Sequence, residues 1–362
     1  MTEQAWDPAA FRADVQATLD IFLAQQADRL APLGDDAADL LEEARAVVSG
    51  GKRFRAAFCF WGHAALAGTP TGTAADAVRR AAASLELLHA SALAHDDLMD
   101  ASDTRRGRPA SHRGFEAGHR DAGWRGDPEQ YGAAAAILLG DLLLSWADEL
   151  LRRCGLDWDR VGPALEVLDL CRSEVIAGQF LDVSVQARGT ASVGQAMTVL
   201  RYKSAKYSIE RPLHIGAALA GADEAALALL TDFGLPLGEA FQLRDDLLGV
   251  FGDPATTGKP AGDDLVEGKR TVLVALALEA ASPADAARLD SALGTELSEA
   301  DVEGLRAIID GCGAREQVEA MIVDLGDRAV EALRRGRDEA GWDAHACGVL
   351  EQLAAAATQR VR

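Results

Sequence analysis

Apolar residues recur three and four positions apart along almost the whole chain, and no stretch alternates with the period of two that a half-buried strand requires. The pattern predicts helices over 8–31, 36–49, 53–67, 73–101, 130–154, 162–188, 193–220, 223–252, 271–281, 284–293 and 299–310. A last one runs over 314–361, interrupted around Gly336 and Gly341. Breakers fall between the patterns: Gly50-Gly51, Gly68-Thr69-Pro70, Gly126-Asp127-Pro128, Gly252-Asp253-Pro254 and Pro283. Ser298, with Asp301 three residues on, reads as a capping box. Two polar, Gly-rich stretches, 102–126 and 252–268, each follow a long helix and are expected as loops of the kind that carry function. With no internal repeat and no Pro/Ser-rich linker, the expectation is one all-α domain spanning 1–362.

Composition narrows the class. Hydrophobic residues make up 49% and charged residues 26%, as in a soluble globular chain. Asp and Glu number 57 against 36 Lys and Arg, a net charge of −21, which repels nucleic acid and anionic lipid unless cations are gathered locally. Only five of those cations are lysines: Lys52, Lys203, Lys206, Lys259 and Lys269. The five cysteines (Cys59, Cys154, Cys171, Cys312, Cys347) form no CxxC pair and read as small buried residues in a reducing compartment. The longest apolar run, Ala133 to Leu139, is too short to span a membrane. Met1 to Trp6 has neither basic nor apolar signal character, so a cytoplasmic protein is expected.

Four constellations carry chemistry. In the first, His89, Asp96, Asp97, Asp100 and Asp103 are followed by Arg105-Arg106-Gly107. The spacing predicts that Asp96, Asp100 and Asp103 share a helix face, with His89 two turns earlier. Stacked carboxylates repel one another unless a divalent cation neutralises them, and hard oxygen ligands suit Mg²⁺. A solvated acidic surface would show the same charge run. Here the run extends an apolar stretch (Leu85, Leu87, Leu88, Leu93) and leads at once into two arginines, which favours a site. The second constellation, Gln242, Asp245 and Asp246, ends another long helix before a Gly-rich loop holding Lys259, Asp263, Asp264 and Lys269.

The third is Gly50-Gly51-Lys52-Arg53-Phe54-Arg55, where consecutive glycines open a helix and its N–H groups and cations can meet an anion. No GxxxxGK[S/T] or GxGxxG is present. The fourth, Lys203, Ser204, Lys206, Tyr207 and Ser208, sets two lysines inside an apolar helix, where each needs an anion. No GxSxG, HExxH or zinc spacing offers a nucleophile or a zinc site. Two Mg²⁺-binding carboxylate helices with cationic loops imply ionisation of a diphosphate ester to a carbocation in an apolar pocket.

These motifs resemble those of the trans-isoprenyl diphosphate synthases (polyprenyl synthetases), from about Val47 to Arg270. Asp96-Asp97-Leu98-Met99-Asp100 with Arg105-Arg106-Gly107 is similar to the first Asp-rich motif. Gln242-Leu243-Arg244-Asp245-Asp246 is similar to the second, and Gly50 to Arg55 to the GGKRxR motif. The resemblance implies an isoprenoid synthase-type helical bundle around a deep central cavity, usually a homodimer. It implies a head-to-tail condensation of isopentenyl diphosphate with an allylic diphosphate. Asp96, Asp100 and Asp245 would bind three Mg²⁺. Asp97 and Asp246 belong to the same catalytic motifs. Arg105, Lys203, Gln242 and Lys259 would hold the allylic diphosphate, with Ser204 beside them. Lys52, Arg55, His89 and Arg106 would hold isopentenyl diphosphate, and Lys269 would close the C-terminal loop. One departure is plain: the third acidic position of the second motif is Gly249, and Asp253 lies a turn too far on.

Positions four and five before Asp96 sit about one helical turn deeper, at roughly 1.5 Å per residue. They are Ala92 and Ser91, both small, where aromatics in the family stop growth at farnesyl length. Leu88, two turns down, forms the next floor, with Trp146 or Phe180 as further candidates. The expectation is a C20 geranylgeranyl product, against farnesyl (C15) or C25 and longer. A class I terpene cyclase would not need Lys52, Arg55 and His89, and head-to-head synthases lack the GGKR start. A non-catalytic partner subunit of a heteromeric synthase would tend to lose the Asp-rich motifs that this chain keeps.

Overall fold

The computed structural model describes residues 6–252 and 262–358. Among the described residues it is all-α apart from one minimal hairpin, and the chain folds into two compact units. No helix among the described residues is long and apolar enough to cross a membrane. All five cysteines are free thiols, four of them buried.

The first unit runs to Leu165 and includes Ile215–Gly221. Its central element is α4 (Gly72–Met99), packed by α1 (Pro8–Leu30), α2 (Asp35–Val48), α3 (Phe54–Ala67), α5 (Ser111–Asp121) and α6 (Pro128–Arg152). Ala77, Val78, Ala81, Ala82, Leu85, Leu87, Leu88 and Ala90 of α4 are buried around the helix rather than along one stripe, as befits a helix enclosed by others. Asp127 caps α6 through the Glu129 N–H at 2.9 Å, and Pro128 follows at the first helical position. Gly140 lets α6 close on α4: a Cβ there would overlap the His95 imidazole, whose Nε2 lies 3.2 Å from the Ile137 carbonyl.

The expected loop 102–126 contains both the hairpin and α5. Thr104–Arg105 (β1) pairs antiparallel with Arg108–Pro109 (β2), and the turn residues Arg106 and Gly107 both have positive φ, as a tight two-residue hairpin demands. Helix α5 escapes an apolar-period reading because its buried residues are Ser111, His112, Glu116 and His119. Arg113 and Arg120 hold Glu116 at 2.8 and 2.5 Å, and the His119 ring packs against Trp124 and Tyr131.

The second unit comprises Glu166–His214 and the chain from Ala222 onward. It holds most of α7 (Trp158–Arg188); in place of the single helix expected over 193–220 the chain forms three segments, of which the last belongs to the first unit from Ile215 onward. These are α8 (Val193–Val199), an eleven-residue π-helical stretch (Leu200–Glu210) and α9 (Arg211–Ala220). The Arg211 N–H reaches back five residues to the Lys206 carbonyl.

Helix α10 (Glu224–Phe251) is the spine of this unit. Leu243, Leu247 and Val250 share a core with Leu265 of the short α11 (Asp263–Val266) and with Val272 and Leu273 of α12 (Val272–Ala280). Leu289 from α13 (Pro283–Ala292), Leu305 and Ile309 from α14 (Glu299–Gly311), and Val318 and Ile322 from α15 (Ala314–Glu339) complete it. The Ser298–Asp301 capping box opens α14. The interruption expected at Gly336 does not occur: that glycine stays helical, and the Trp342 indole packs where its side chain would lie. The chain turns instead at Gly341, with φ +73, before α16 (Ala344–Thr358).

Candidate active site

In the first unit, the glycine-rich entry to α3 folds around Arg53. This residue sits in the left-handed region (φ 57, ψ 33) as the N-cap, with its side chain turned inward. Its guanidinium donates to Glu86 Oε2 at 3.1 Å, to the Val48 carbonyl at 2.5 Å and to Gln16 Oε1 at 2.5 Å. Glu86 Oε1 accepts the Ala56 N–H of α3 at 3.2 Å. Arg53 and Glu86 are both buried, so this pair is the internal brace of the loop. Lys52 and Arg55, either side of it, are exposed and half-buried.

His89, on α4, faces the same cations. Burial, then the guanidinium groups of Arg55, Arg106, Arg105 and Arg53, hold its imidazole well below the ordinary 6.5. The sequence-distant motifs around residues 53–55, 89 and 105–106 therefore form one cationic cluster. A neutral imidazole among arginines is the expected ground state of a site built to receive a multiply charged anion.

Asp96 closes the last turn of α4, and Asp100 is its C-cap, with the Asp100 N–H donating to the Asp96 carbonyl at 2.8 Å. Both side chains are half-buried. Asp97 is buried and accepts Arg105 Nε at 2.8 Å together with its Nη2. Asp103 does not share the helix face as the spacing predicts. The chain leaves the helix at Ala101, whose φ is 53, and Asp103 instead accepts Arg113 Nε at 2.8 Å.

In the second unit, the anion each half-buried lysine needs comes from the chain itself. Lys203 Nζ lies 2.6 Å from Asp182 Oδ2, and Lys206 Nζ lies 2.6 Å from Glu174 Oε1. Glu174 also takes a two-pronged grip from Arg211, at 2.7 and 2.9 Å. Gly178 lets α7 come this close, since a Cβ there would press on the Lys203 backbone, with its α-carbon at 2.8 Å. Asp182 and Glu174 are partners of these lysines that sequence reasoning missed. Ser204, beside Lys203, is half-buried.

At the end of α10, Asp245 is half-buried and Asp246 buried. The Gln242 amide donates to Asp246 Oδ1 at 2.8 Å. Burial pushes the Asp246 carboxyl up to about 8, with Asp264 and Asp245 adding to the rise while Gln242 and Lys269 oppose it. Lys269 Nζ lies 3.5 Å from Asp264 Oδ1 and is also paired with Glu267. Lys259 and Asp253 lie outside the described residues.

Both carboxylate helix ends offer hard oxygen donors, and burial, more than the neighbouring Asp264 and Asp245, disfavours the charged form of Asp246. Among the described residues, no three acidic, imidazole or thiol groups converge into a ready-made metal cage. Mg²⁺ is ordinarily held by one or two carboxylates plus substrate phosphates, so either helix end, taken by itself, offers donors that fit a metal binding together with a diphosphate. Of the depth-setting candidates on α4, Leu88 and Ser91 are each 3% exposed and Ala92 is half-buried. Trp146 packs edge-on against Phe22 with centroids 6.1 Å apart, and Phe180 is 74% exposed.

The model of the family described as polyprenyl synthetase matches residues 38–309, a span that enters both units. A short chain isoprenyl diphosphate synthase of Methanothermobacter thermautotrophicus is 35% identical over 288 residues, covering 79% of this chain and 81% of that protein. A geranylgeranyl diphosphate synthase of Mycobacterium tuberculosis is 35% identical over 297 residues, covering 79% and 78%. Proteins named as farnesyl and geranylfarnesyl diphosphate synthases match as well. Among solved structures, a geranylgeranyl pyrophosphate synthase of Corynebacterium glutamicum, complexed with isoprenyl diphosphate and magnesium, superposes with a TM-score of 0.93. It is 40% identical and covers 98% of this chain and 100% of its own.

Proposed function

The chain belongs to the polyprenyl synthetase family and is a trans-prenyltransferase, and we propose that it condenses isopentenyl diphosphate with an allylic diphosphate to make C20 geranylgeranyl diphosphate. The observation that carries this reading is the cluster of Arg53, Arg55, Arg105 and Arg106 around His89, which lies two turns before Asp96 on α4. Lys52, Arg55, His89 and Arg106 bind the diphosphate of isopentenyl diphosphate, with Arg53 bracing the loop from inside. Arg105, held by Asp97, and Lys203, held by Asp182, grip the allylic diphosphate with Gln242, Ser204 and Lys259. Lys269 closes the loop after α10.

Asp96, Asp100 and Asp245 supply the carboxylates for three Mg²⁺ per chain. When bound, these ions neutralise the departing diphosphate. The allylic C–O bond breaks with its electron pair leaving on diphosphate. The isopentenyl double bond closes on the allylic carbon, and a proton leaves the adjacent carbon for the released diphosphate. Small Ser91 and Ala92 leave room below the reacting end, and Leu88 forms the floor. The chain works as a single polyprenyl synthetase domain over 1–362, as a homodimer.

Incubation with isopentenyl and farnesyl diphosphates and Mg²⁺, followed by dephosphorylation and chromatography, tests the reading. A C20 alcohol is the expected product. Growth that stops at C15 or runs to C25 and beyond overturns the assignment of the floor. No condensation by the isolated protein favours a partner-subunit role.

A further inference from the structure

Gly249 occupies the position where the second motif lacks its third carboxylate, and nothing in its backbone requires glycine. It lies inside α10 and has no left-handed φ. Glycine inside a helix is unfavourable by about 1 kcal/mol relative to alanine, so its presence needs another reason. The reason is spatial. A Cβ at Gly249 would overlap the Asp264 side chain, running into Cγ and Oδ2 and standing 3.0 Å from Oδ1. The Asp264 carboxylate fills the volume into which an aspartate at 249 would project.

We propose that Asp264 supplies the third acidic group of the second aspartate-rich motif, delivered from α11 rather than from α10. Three contacts fix it there. Leu265, next to it, is fully buried in the core of the unit. The Gly294 N–H donates to the Leu265 carbonyl at 3.0 Å. The Lys269 N–H donates to the Asp264 carbonyl at 3.0 Å, while Lys269 Nζ approaches Oδ1 at 3.5 Å. The carboxylate is thus held by main-chain bonds on a turn anchored by a core leucine, beside Asp245 and Asp246. Asp264 acts as a positioning residue. It contributes negative charge beside the metal-facing carboxylates and orients Lys269, without being a metal ligand itself. Gly249 and Asp264 form one unit, in which the side chain absent from α10 leaves the space that the α11 carboxylate fills.

The inference rests on the metal-dependent reading above, and titration with Mn²⁺ in the presence of inorganic diphosphate, followed by electron paramagnetic resonance, tests the two separately. The wild-type chain should bind Mn²⁺ in this assay, and its failure to do so would defeat that reading as a whole. If it binds, Asp264→Asn should weaken Mn²⁺ about 10- to 100-fold, as loss of an outer-shell partner does. The double variant Gly249→Asp with Asp264→Gly returns a carboxylate to the same space from α10. It should recover most of the affinity that Asp264→Gly alone loses. Thermal melts confirm that each variant is folded. An Asp264→Asn protein with wild-type Mn²⁺ affinity overturns the proposal, and so does a folded double variant that binds no better than Asp264→Gly.

Discussion

The Arg106 guanidinium rests on the α-carbon of Gly51: a Cβ built there would stand 3.1 Å from Arg106 Nη2, while Nη1 donates to the Ser49 carbonyl at 3.0 Å. Gly51 has φ +88, so the loop needs glycine for its backbone as well as for this contact. Alanine at 51 would incur roughly 1–2 kcal/mol of strain and push the guanidinium outward. Gly51→Ala should therefore raise the KM for isopentenyl diphosphate several-fold and leave the KM for the allylic substrate nearly unchanged. Steady-state kinetics with each substrate varied in turn would check it.

Adjacent residues of the same motif should fail in different ways. Arg53 is 5% exposed and paired with buried Glu86, so Arg53→Met strands a buried carboxylate and should cost about 3–5 kcal/mol of stability. Exposed Lys52→Met should leave the denaturation midpoint in place and raise the KM for isopentenyl diphosphate. Urea unfolding alongside kinetics separates the two effects.

His214 makes the second unit sensitive to acid. Arg211 Nη1 donates to its Nδ1 at 3.1 Å, and its Nε2–H donates to Thr231 Oγ1 at 3.1 Å, so the ring is held neutral. Burial, then the Arg211 charge, pushes it down to about 4. The unfolded chain takes up this proton near the ordinary 6.5 and the folded chain resists, so stability falls as pH drops through that window and levels off below it. Between neutral pH and pH 5 the loss from this group is about 2 kcal/mol. His214→Gln should show a shallower decline than wild type when denaturant midpoints are measured at both pH values.

Chain length should respond to bulk on α4. Ser91 is buried one turn beneath Asp96, and a benzyl group there would raise the pocket floor by about one isoprene unit. Ser91→Phe should shift the product from C20 toward C15. Leu88→Ala should lengthen it, as read by chromatography of the dephosphorylated products.

The boundaries of most helices were legible because their buried faces are apolar and their ends carry Gly, Pro, Asp or Ser. Helix α5 was not, since it buries His112, Glu116 and His119, which a hydrophobic period does not register. Nor was the π-helical stretch 200–210, because a change from four- to five-residue backbone bonding leaves no mark on composition. The motif residues could be named from spacing, but their partners could not. Asp182 lies 21 residues from Lys203 and Glu86 lies 33 from Arg53, distances at which only the folded chain defines a pair. Asp103 shows the reverse error, where a regular spacing continued past the point at which the helix ends.

The central claim is that the carboxylates closing α4 assist departure of the allylic diphosphate. Single-turnover rates for wild type and Asp96→Ala, at saturating Mg²⁺ and both substrates, test it most directly. Removing one group that stabilises developing charge should slow condensation on the order of 100- to 1000-fold, with the melting temperature unchanged. An Asp96→Ala protein that condenses its substrates at the wild-type rate would contradict the account.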